Sequence, residues 1–325
     1  MLNKKLNYVV TRTPLRVSFL GGGTDMPYFY KTYGGATLST AINKFVYVTV
    51  KRHTSYFNEI YRLNYFESEN CRDLNQIKNL IIRETIKHLK INDPLYISVI
   101  SDIPVGSGLG GSSSFIVGLI KALTTLDGIK KTKKEIFDLA THIELDVIKS
   151  PIGKQDHIPA VYGGLLYSRY LKNGEIKIKK ISNLNFLKNL FIIWTGKTRF
   201  SEIILNDQKK NFKKNIIFLN KMNYLTKDFY SKLINKQINL QTELINAVKK
   251  SWYLKKKFTK LISNKKINKI INFATSKKIG AKLLGAGGGG FILLFGLSKY
   301  RYNFLDYKLD SITPVKNGTE IILKI

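Results

Sequence analysis

Several residue types are scarce in this chain of 325 residues, and each shortage excludes a kind of bond, site or segment. Cys71 is the single cysteine, so no disulfide can form within the chain, as is typical of proteins from a reducing compartment. The four histidines lack the spacing of a zinc site. No apolar run approaches the ~18 residues of a transmembrane helix. The basic start of the chain also lacks the apolar core of a signal peptide. We therefore expect a soluble, cytoplasmic protein.

Acidic residues are also few, since 22 Asp and Glu face 54 Lys and Arg, which gives a formal net charge of +32. An excess of this kind is typical of proteins that bind nucleic acid, anionic membranes or acidic substrates. Here many lysines come as pairs and triplets within helical patterns, such as Lys255–Lys257. That arrangement favours solvated helix faces over a shaped groove. A nucleic-acid-binding protein stays open as an alternative function.

Apolar periodicity predicts a mixed protein of strands and helices. Strands are predicted over 7–20, 36–52, 94–102, 163–170, 174–181, 291–296 and 319–325, and helices over 75–90, 112–126, 132–148 and much of 201–276. The apolar run 190–195 is expected to begin the second half of the chain. Thr132 and Glu135 have the spacing of a capping box at the start of one helix. We expect two domains, 1–185 and 186–325, which share an interface because no flexible linker separates them.

Three glycine clusters stand out, at 21–23, 106–111 and 285–290. The middle cluster follows a predicted strand and opens a predicted helix. Glycine lets the backbone approach a ligand closely, and the free N–H groups of a helix start favour an anion. This segment therefore predicts a phosphate-binding loop. The residues expected to form it are Pro104, Gly106, Ser107, Gly108, Leu109, Gly110, Gly111, Ser112, Ser113 and Ser114.

The loop differs from two common phosphate loops. No lysine follows its last glycine, so it is not a Walker A motif. Gly106, Gly108 and Gly111 match the dinucleotide pattern GxGxxG. That fold requires an acidic residue at the end of a second strand, whereas Asp127 falls in a turn before another helix.

The string PVGSGLGGSSS resembles the second motif of the GHMP kinases, which include galactokinase, homoserine kinase and mevalonate kinase. Gly111 stands where that family has the first serine of a pair. Pro14–Val17 with Gly21–Asp25 resembles the first motif, and Gly280–Phe291 resembles the third. Within that family, the strings GGGTD, GKQDH and TGKTRFSEIILNDQ resemble one subfamily in particular, the D-glycero-D-manno-heptose 7-phosphate kinases. The motifs span most of the chain.

The resemblance implies a two-lobed α+β fold, with a ribosomal-protein-like N-terminal lobe and a ferredoxin-like C-terminal lobe. It implies catalytic roles for Asp156 and Arg16, and Mg²⁺ binding by Ser112 and Glu144. It implies that Asp25 binds sugar hydroxyls. Further implied substrate contacts are Gly23, Thr24, Lys154, Thr195, Arg199, Gly287 and Gly288, with Lys197 as another candidate for the substrate phosphate. From the residues alone, Asp25 and Asp156 are also consistent with turns, and Arg16 with the surface of an edge strand.

The implied function is ATP- and Mg²⁺-dependent phosphorylation of C1 of a heptose 7-phosphate. Its product would supply nucleotide-activated heptose for surface polysaccharides. The expected partner is a small sugar phosphate rather than a nucleic acid or a membrane. Two kinase-like alternatives stay open beside the nucleic-acid-binding protein. One is a kinase for an unphosphorylated sugar such as fucose or galactose, and the other is a regulator without catalysis.

Overall fold

The structure is a computed structural model that describes residues 6–54, 56–198, 201–235, 239–296, 304 and 307–325. Its described strands are β1 (Tyr8–Leu20), β2 (Gly35–Arg52), β3 (Tyr61–Asn64), β4 (Ser68–Cys71), β5 (Leu95–Ser101), β6 (Leu165–Tyr170), β7 (Ile176–Ile181), β8 (Leu190–Trp194), β9 (Gly280–Leu283), β10 (Phe291–Phe295), β11 (Leu309–Ile312) and β12 (Glu320–Lys324). Its described helices are α1 (Pro27–Tyr33), α2 (Leu80–Leu89), α3 (Gly111–Leu126), α4 (Lys133–Thr141), α5 (His157–Tyr162), α6 (Ser201–Lys210), α7 (Phe212–Ile234), α8 (Leu240–Lys255) and α9 (Lys265–Ser276).

Two sheets define two lobes. The N-terminal lobe contains an eight-stranded sheet in the order β12-β1-β2-β5-β3-β4, with β6 paired to β2 and β7 paired to β6. The C-terminal lobe contains a four-stranded sheet in the order β11-β8-β10-β9. β8 begins the second sheet just after the boundary predicted near residue 185. β12 then returns to pair with β1, so the end of the described chain adds a strand to the first sheet.

β1 positions the first residues of the site. It pairs with β2 on one side and β12 on the other. The register with β2 shifts between Pro14 and Leu15. Proline has no N–H to donate to a neighbouring strand, so it is tolerated at such an irregularity. Arg16 lies two residues further on and is only 3% exposed, so the edge-strand surface alternative for it is wrong.

α3 packs across β1 and β2. Its buried residues surround the helix, as expected of a helix in the interior. Gly118 allows a close approach, since a Cβ there would lie 2.7 Å from the hydroxyl oxygen of Thr13. The Thr11 hydroxyl donates to the carbonyl of Gly118 at 3.0 Å. This packing fixes the start of α3 relative to β1.

The lobes share a continuous apolar interface. Phe19 of β1 contacts Phe295 of β10 edge to face, with ring centroids 6.2 Å apart. Tyr167 of β6 stacks on Tyr230 of α7 at 3.6 Å between centroids. One apolar core includes buried residues from both lobes. The site between the lobes therefore has fixed walls. No described helix is long and apolar enough to cross a membrane.

The sequence prediction missed some local structure. Residues 21–35 were expected to be turn-rich, but they contain α1, which has proline at its start and buries Phe29 and Tyr30. The helix expected over 132–148 becomes π-helical at His142–Val147. The capping box of Thr132 and Glu135 is confirmed.

Candidate active site

A cavity of about 700 Å³ lies between the two lobes. Its N-terminal wall includes Arg16, Asp156 and the start of α3. Its C-terminal wall includes Lys255 and Gly285. This volume is typical of sites for ligands of nucleotide size, which are bound mostly by apolar walls and a few polar groups.

The predicted phosphate loop forms one edge of this cavity. Gly106, Gly108 and Gly110 have φ angles of 73°, 86° and 79°, a region that side chains disfavour. Gly110 is the N-cap of α3 and provides no side-chain cap. Gly110, Gly111 and Ser112 line the cavity. The N-terminal end of a 16-residue helix therefore faces the cavity, and its N–H groups favour an anion there.

The hydroxyl groups of the loop have different surroundings. Ser112 lines the cavity, whereas Ser113 and Ser114 are buried behind it. The Ser113 hydroxyl donates to Glu144 at 3.1 Å. The Ser114 hydroxyl donates to the carbonyl of Pro14 at 2.8 Å. Ser113 and Ser114 thus hold the helix start in place.

Arg16 and Asp156 form a two-point ion pair beside the loop. Nε of Arg16 donates to one carboxylate oxygen of Asp156 at 2.8 Å, and a terminal nitrogen donates to the other at 2.6 Å. The second terminal nitrogen of Arg16 donates to the carbonyl of Gly108 at 2.8 Å. The backbone N–H of Arg16 donates to the carbonyl of Leu109 at 3.0 Å. Arg16 therefore ties the acidic group directly to the glycine loop.

Asp25 lies next to this pair and is 1% exposed. Its carboxylate accepts the N–H groups of Gly23 at 3.1 Å and Gln155 at 3.2 Å. Burial, and then the charge of Asp156, raises the pKa of Asp25 to about 6. A Cβ at Gly153 would lie 1.9 Å from a carboxylate oxygen of Asp25, so glycine is required there. The Thr24 side chain is buried and donates to the carbonyl groups of Gly21 and Ala36.

Glu144 sits in the π-helical turn and is 2% exposed. One of its carboxylate oxygens accepts from Ser113 and lies 2.7 Å from Nε2 of His157. Glu144 and Ser112 both line a second cavity of about 410 Å³, which shares residues with the main one. A buried carboxylate and a hydroxyl thus face one space beside the loop. These are oxygen ligands of the kind that hard divalent cations prefer.

The third glycine cluster closes the cavity from the C-terminal lobe. Gly285 and Ala286 line it. Gly290 has a φ of 89°, and a Cβ there would lie 2.1 Å from the carbonyl oxygen of Ser107. The N–H of Phe291 donates to the same carbonyl at 3.2 Å. The second and third glycine clusters therefore touch across the interface of the lobes.

Several predicted substrate residues lie outside the described lining of the main cavity. Thr195 is buried, and its hydroxyl donates to the carbonyl of Gly290 at 2.8 Å. Gly287 and Gly288 pack against Ile262, which accepts the N–H of Gly288 at 2.8 Å. Lys154 is partly exposed and Lys197 is exposed. Arg199 lies outside the described residues. Thr195, Gly287 and Gly288 therefore make contacts within the protein that shape the third glycine cluster.

Several residues of the cavity were not predicted from the sequence. Gln155 accepts from the Ser18 hydroxyl at 3.0 Å and lines the cavity. Lys255 reaches it from the end of α8. An apolar wall, for which no residues were predicted, is formed by Val46, Tyr65, Phe66, Ile81, Val99, Ile103, Val105 and Phe115. Gln155 could have been found from the sequence, because it stands next to Asp156. The residues of the apolar wall are far apart in the chain, so no short motif marks them.

The comparisons with known proteins indicate a phosphotransferase of the kinase type. Residues 76–164 match the family described as GHMP kinases N terminal domain. The chain is a phosphotransferase that acts on a hydroxyl group, and it is similar to the GHMP kinases. GHMP kinases use ATP as the phosphate donor.

The chain is similar to kinases with different acceptors. It is 28% identical over 91% of both chains to D-glycero-alpha-D-manno-heptose 7-phosphate kinase from Campylobacter jejuni. It is also 28% identical to the mevalonate kinase of Methanocaldococcus jannaschii, over 88% of this chain and 91% of that one. A crystal structure titled D-glycero-D-manno-heptose 1-phosphate kinase, from Bacteroides thetaiotaomicron, has a TM-score of 0.75 at 19% identity. That likeness covers 97% of this chain and 99% of that one, and it shows the fold.

Proposed function

We propose that this enzyme transfers the γ-phosphoryl group of ATP to the C1 hydroxyl of D-glycero-D-manno-heptose 7-phosphate. The product would be the 1,7-bisphosphate, a precursor of nucleotide-activated heptose for surface polysaccharides. The observation that carries the proposal is the Arg16–Asp156 pair, which is bonded to the phosphate loop through Gly108 and lies close enough to Asp25 for the charge of Asp156 to raise the pKa of Asp25. The similarity to a heptose 7-phosphate kinase over 91% of both chains supports the acceptor.

ATP is proposed to lie along the start of α3. The phosphates would accept N–H groups from Gly108–Ser112, where the helix end favours negative charge. The adenine would lie against the apolar wall that includes Tyr65, Val99 and Phe115. Gly285 and Ala286 cover the same cavity from the other lobe. This placement brings the terminal phosphate toward Arg16.

Asp156 is proposed to orient the acceptor hydroxyl and to accept its proton. Each of its oxygens accepts one hydrogen bond from Arg16 and keeps further lone pairs. The positive charge of Arg16 would stabilise the negative charge of the transferred group. Asp25, with the adjoining Gly23, would hold a neighbouring hydroxyl of the sugar, whereas the buried Thr24 hydroxyl supports the turn from behind. These roles are inferred from where the residues lie around the cavity, and substitution of each residue tests them.

The residues beside the loop fit a bound Mg²⁺ ion. Ser112 and Glu144 would hold it, because they present a hydroxyl and a buried carboxylate to one space. One oxygen of Glu144 accepts the hydrogen bond of Ser113, which orients the carboxylate, and lies 2.7 Å from Nε2 of His157. When bound, the cation neutralises charge on the phosphate oxygens of ATP.

The distal phosphate of the acceptor would bind basic side chains, among them that of Lys197, whose backbone carbonyl accepts the N–H of Gly290 at 2.9 Å. Lys154, Lys197 and Arg199 are the proposed candidates.

A second candidate function is kinase activity on an unphosphorylated sugar. It is favoured by one observation, that Arg16 and Lys255 are the only cationic side chains in the described lining of the main cavity. Phosphorylation of a free sugar needs no additional cation there.

The acceptor assay separates the two candidates. ADP release would be measured with Mg-ATP and heptose 7-phosphate, sedoheptulose 7-phosphate, mannose 6-phosphate, galactose, fucose or mevalonate. We expect turnover with heptose 7-phosphate and at least a hundredfold lower kcat/KM with the others. Preferred turnover of galactose or fucose would replace the first candidate by the second. An RNA-dependent shift in mobility without turnover of any acceptor would contradict both.

A further inference from the structure

A small cavity lies beside the main cavity at Arg16, between β1 of the N-terminal lobe and β9 and α8 of the C-terminal lobe. Its volume is about 30 Å³. The polar side chains that line it are Arg16, Ser18, Gln155, Ser251, Lys255 and Lys282. A cavity of this size holds one small species, of the size of a water molecule or a monatomic anion.

Lys282 is the least expected of these residues. It is 3% exposed, in the middle of β9. Its Nζ donates to the carbonyl of Phe19 at 2.9 Å, across the interface of the lobes. Within the part of the chain that the structure describes, no carboxylate forms an ion pair with it. A buried ammonium group without a counter-charge is costly, so this position requires compensation.

Ser251 provides a second, independent observation. It is fully buried on α8, and its hydroxyl has no hydrogen-bond partner among the described residues. The side chain lines the same cavity as Lys282. A buried hydroxyl that faces a polar cavity is normally satisfied by something within it.

The charge of the lining indicates what that species is. Three cations line the cavity, and no carboxylate is found among the described lining residues. Asp156 pairs with Arg16 but lies outside this lining. Of the remaining polar groups, the hydroxyl of Ser251 and the side-chain NH₂ of Gln155 are able to donate. The amide carbonyl of Gln155 is already engaged by Ser18.

We propose that this cavity binds one halide-sized monovalent anion, chloride under ordinary conditions, held by Lys282 and Ser251. The anion compensates the charge of Lys282 and completes the hydrogen bonding of Ser251. It thereby fixes β9 and α8 of the C-terminal lobe against β1, which carries Arg16. A phosphate group is excluded by size, so the site differs from the phosphate loop.

Binding of this anion is coupled to a proton. Burial, and then the positive charge of Arg16, lowers the pKa of Lys282 to about 7. The charged groups that line the cavity with Lys282 are Arg16 of β1 and Lys255 of α8, and Asp156 lies beyond Arg16. A bound anion favours the charged form of Lys282. Halide affinity should therefore be higher at pH 6 than at pH 8.

Bromide is the probe for a direct test. Crystals of the full-length protein would be grown in sodium bromide near pH 6, and anomalous diffraction would be measured at the bromine edge. We expect a peak within hydrogen-bond distance of Lys282 Nζ and Ser251 Oγ. Bromide found only on the surface, or a water molecule in the cavity, would overturn the proposal.

Melting temperatures provide the test in solution. At equal ionic strength, sodium bromide in about tenfold excess over its dissociation constant should raise the Tm by about 2 °C relative to sodium gluconate. Lys282→Met should abolish this difference, whereas Lys221→Met, on the exposed face of α7, should keep it. If Lys282→Met does not fold, Ser251→Ala removes one ligand without burying a new group, and it should at least halve the difference. An equal halide effect in wild type and Ser251→Ala would contradict the site.

Discussion

The substitution Asp156→Asn tests the proposed chemistry most sharply. It keeps the size of the side chain but removes the negative charge that Arg16 contacts at 2.8 and 2.6 Å. The amide can no longer accept a proton from the acceptor hydroxyl. Loss of a general base typically costs roughly 10²–10⁴-fold in rate. We expect a fall of this size in kcat and a smaller change in the KM for ATP, since the glycine loop keeps its own contacts.

The same substitution also affects stability. Arg16 is 3% exposed and would retain the carbonyl of Gly108 as a partner but lose its counter-charge. Breaking a buried pair by removing one partner costs about 3–5 kcal/mol. The Asp156 side chain is 18% exposed, so solvent should reduce the cost to the lower end of that range. Urea unfolding would measure it.

Turnover would be measured by ADP release at a temperature where circular dichroism shows the variant to be folded. Asp138→Asn is a matched control, because Asp138 forms an exposed ion pair with Lys134 far from the cavity. Its kcat should stay within twofold of the wild type. If folded Asp156→Asn keeps more than a tenth of the wild-type kcat, Asp156 does not accept the proton.

Three further predictions follow from the surroundings of individual residues. The pKa of Asp25 is raised to about 6 by burial, so its contribution to stability is present at low pH and lost as pH rises through 6. Asp25→Asn should not show this loss, which amounts to about 3 kcal/mol in the free energy of unfolding. Between pH 4 and pH 8 the Tm of the wild type should therefore fall relative to that of the variant. Parallel curves would contradict the raised pKa of Asp25. Gly290→Ala should raise the KM for ATP at least tenfold, because its Cβ would lie 2.1 Å from the Ser107 carbonyl. Gly111→Ala, whose Cβ meets nothing within 4 Å, should fold with an unchanged or higher Tm, and equal Tm losses in both variants would refute the steric argument. Glu144→Gln should raise the Mg²⁺ concentration needed for half-maximal activity at least tenfold, whereas an unchanged Mg²⁺ titration would exclude Glu144 as a ligand.

The parts of the fold that local sequence controls could be predicted. Alternating residues of β1 and β2 indicated two long strands, and the glycines before α3 indicated a helix whose start faces an anion. Such features depend on residues close together in the chain. The capping box at Thr132 is of the same kind.

The features that were missed depend on distant parts of the chain. α1 forms in a glycine-rich segment because Phe29 and Tyr30 find a buried environment, which local composition does not show. β12 joins the N-terminal sheet from the far end of the chain. The contact of Lys282 with Phe19 spans 263 positions. Sequence patterns carry no information about such pairs without the fold.

The candidate site was likewise predictable only where a local motif marks the residue. The motifs indicated Arg16, Asp25 and Asp156, and the structure brings all three together. The resemblance singled out Ser112 for Mg²⁺, and it faces the cavity, but Ser113 and Ser114 were also expected to bind the nucleotide and instead face the interior. The direction of each side chain depends on how α3 packs against β1, so consecutive serines in one motif have different surroundings.

The most direct test of the proposed function is the position of the transferred phosphate. The enzyme would be incubated with Mg-ATP and D-glycero-D-manno-heptose 7-phosphate, and the product examined by ³¹P NMR. The account predicts a second phosphate signal coupled to the anomeric proton, beside the unchanged signal of the 7-phosphate. A new phosphate at any other carbon, or no new signal while a free sugar is phosphorylated under the same conditions, would contradict it.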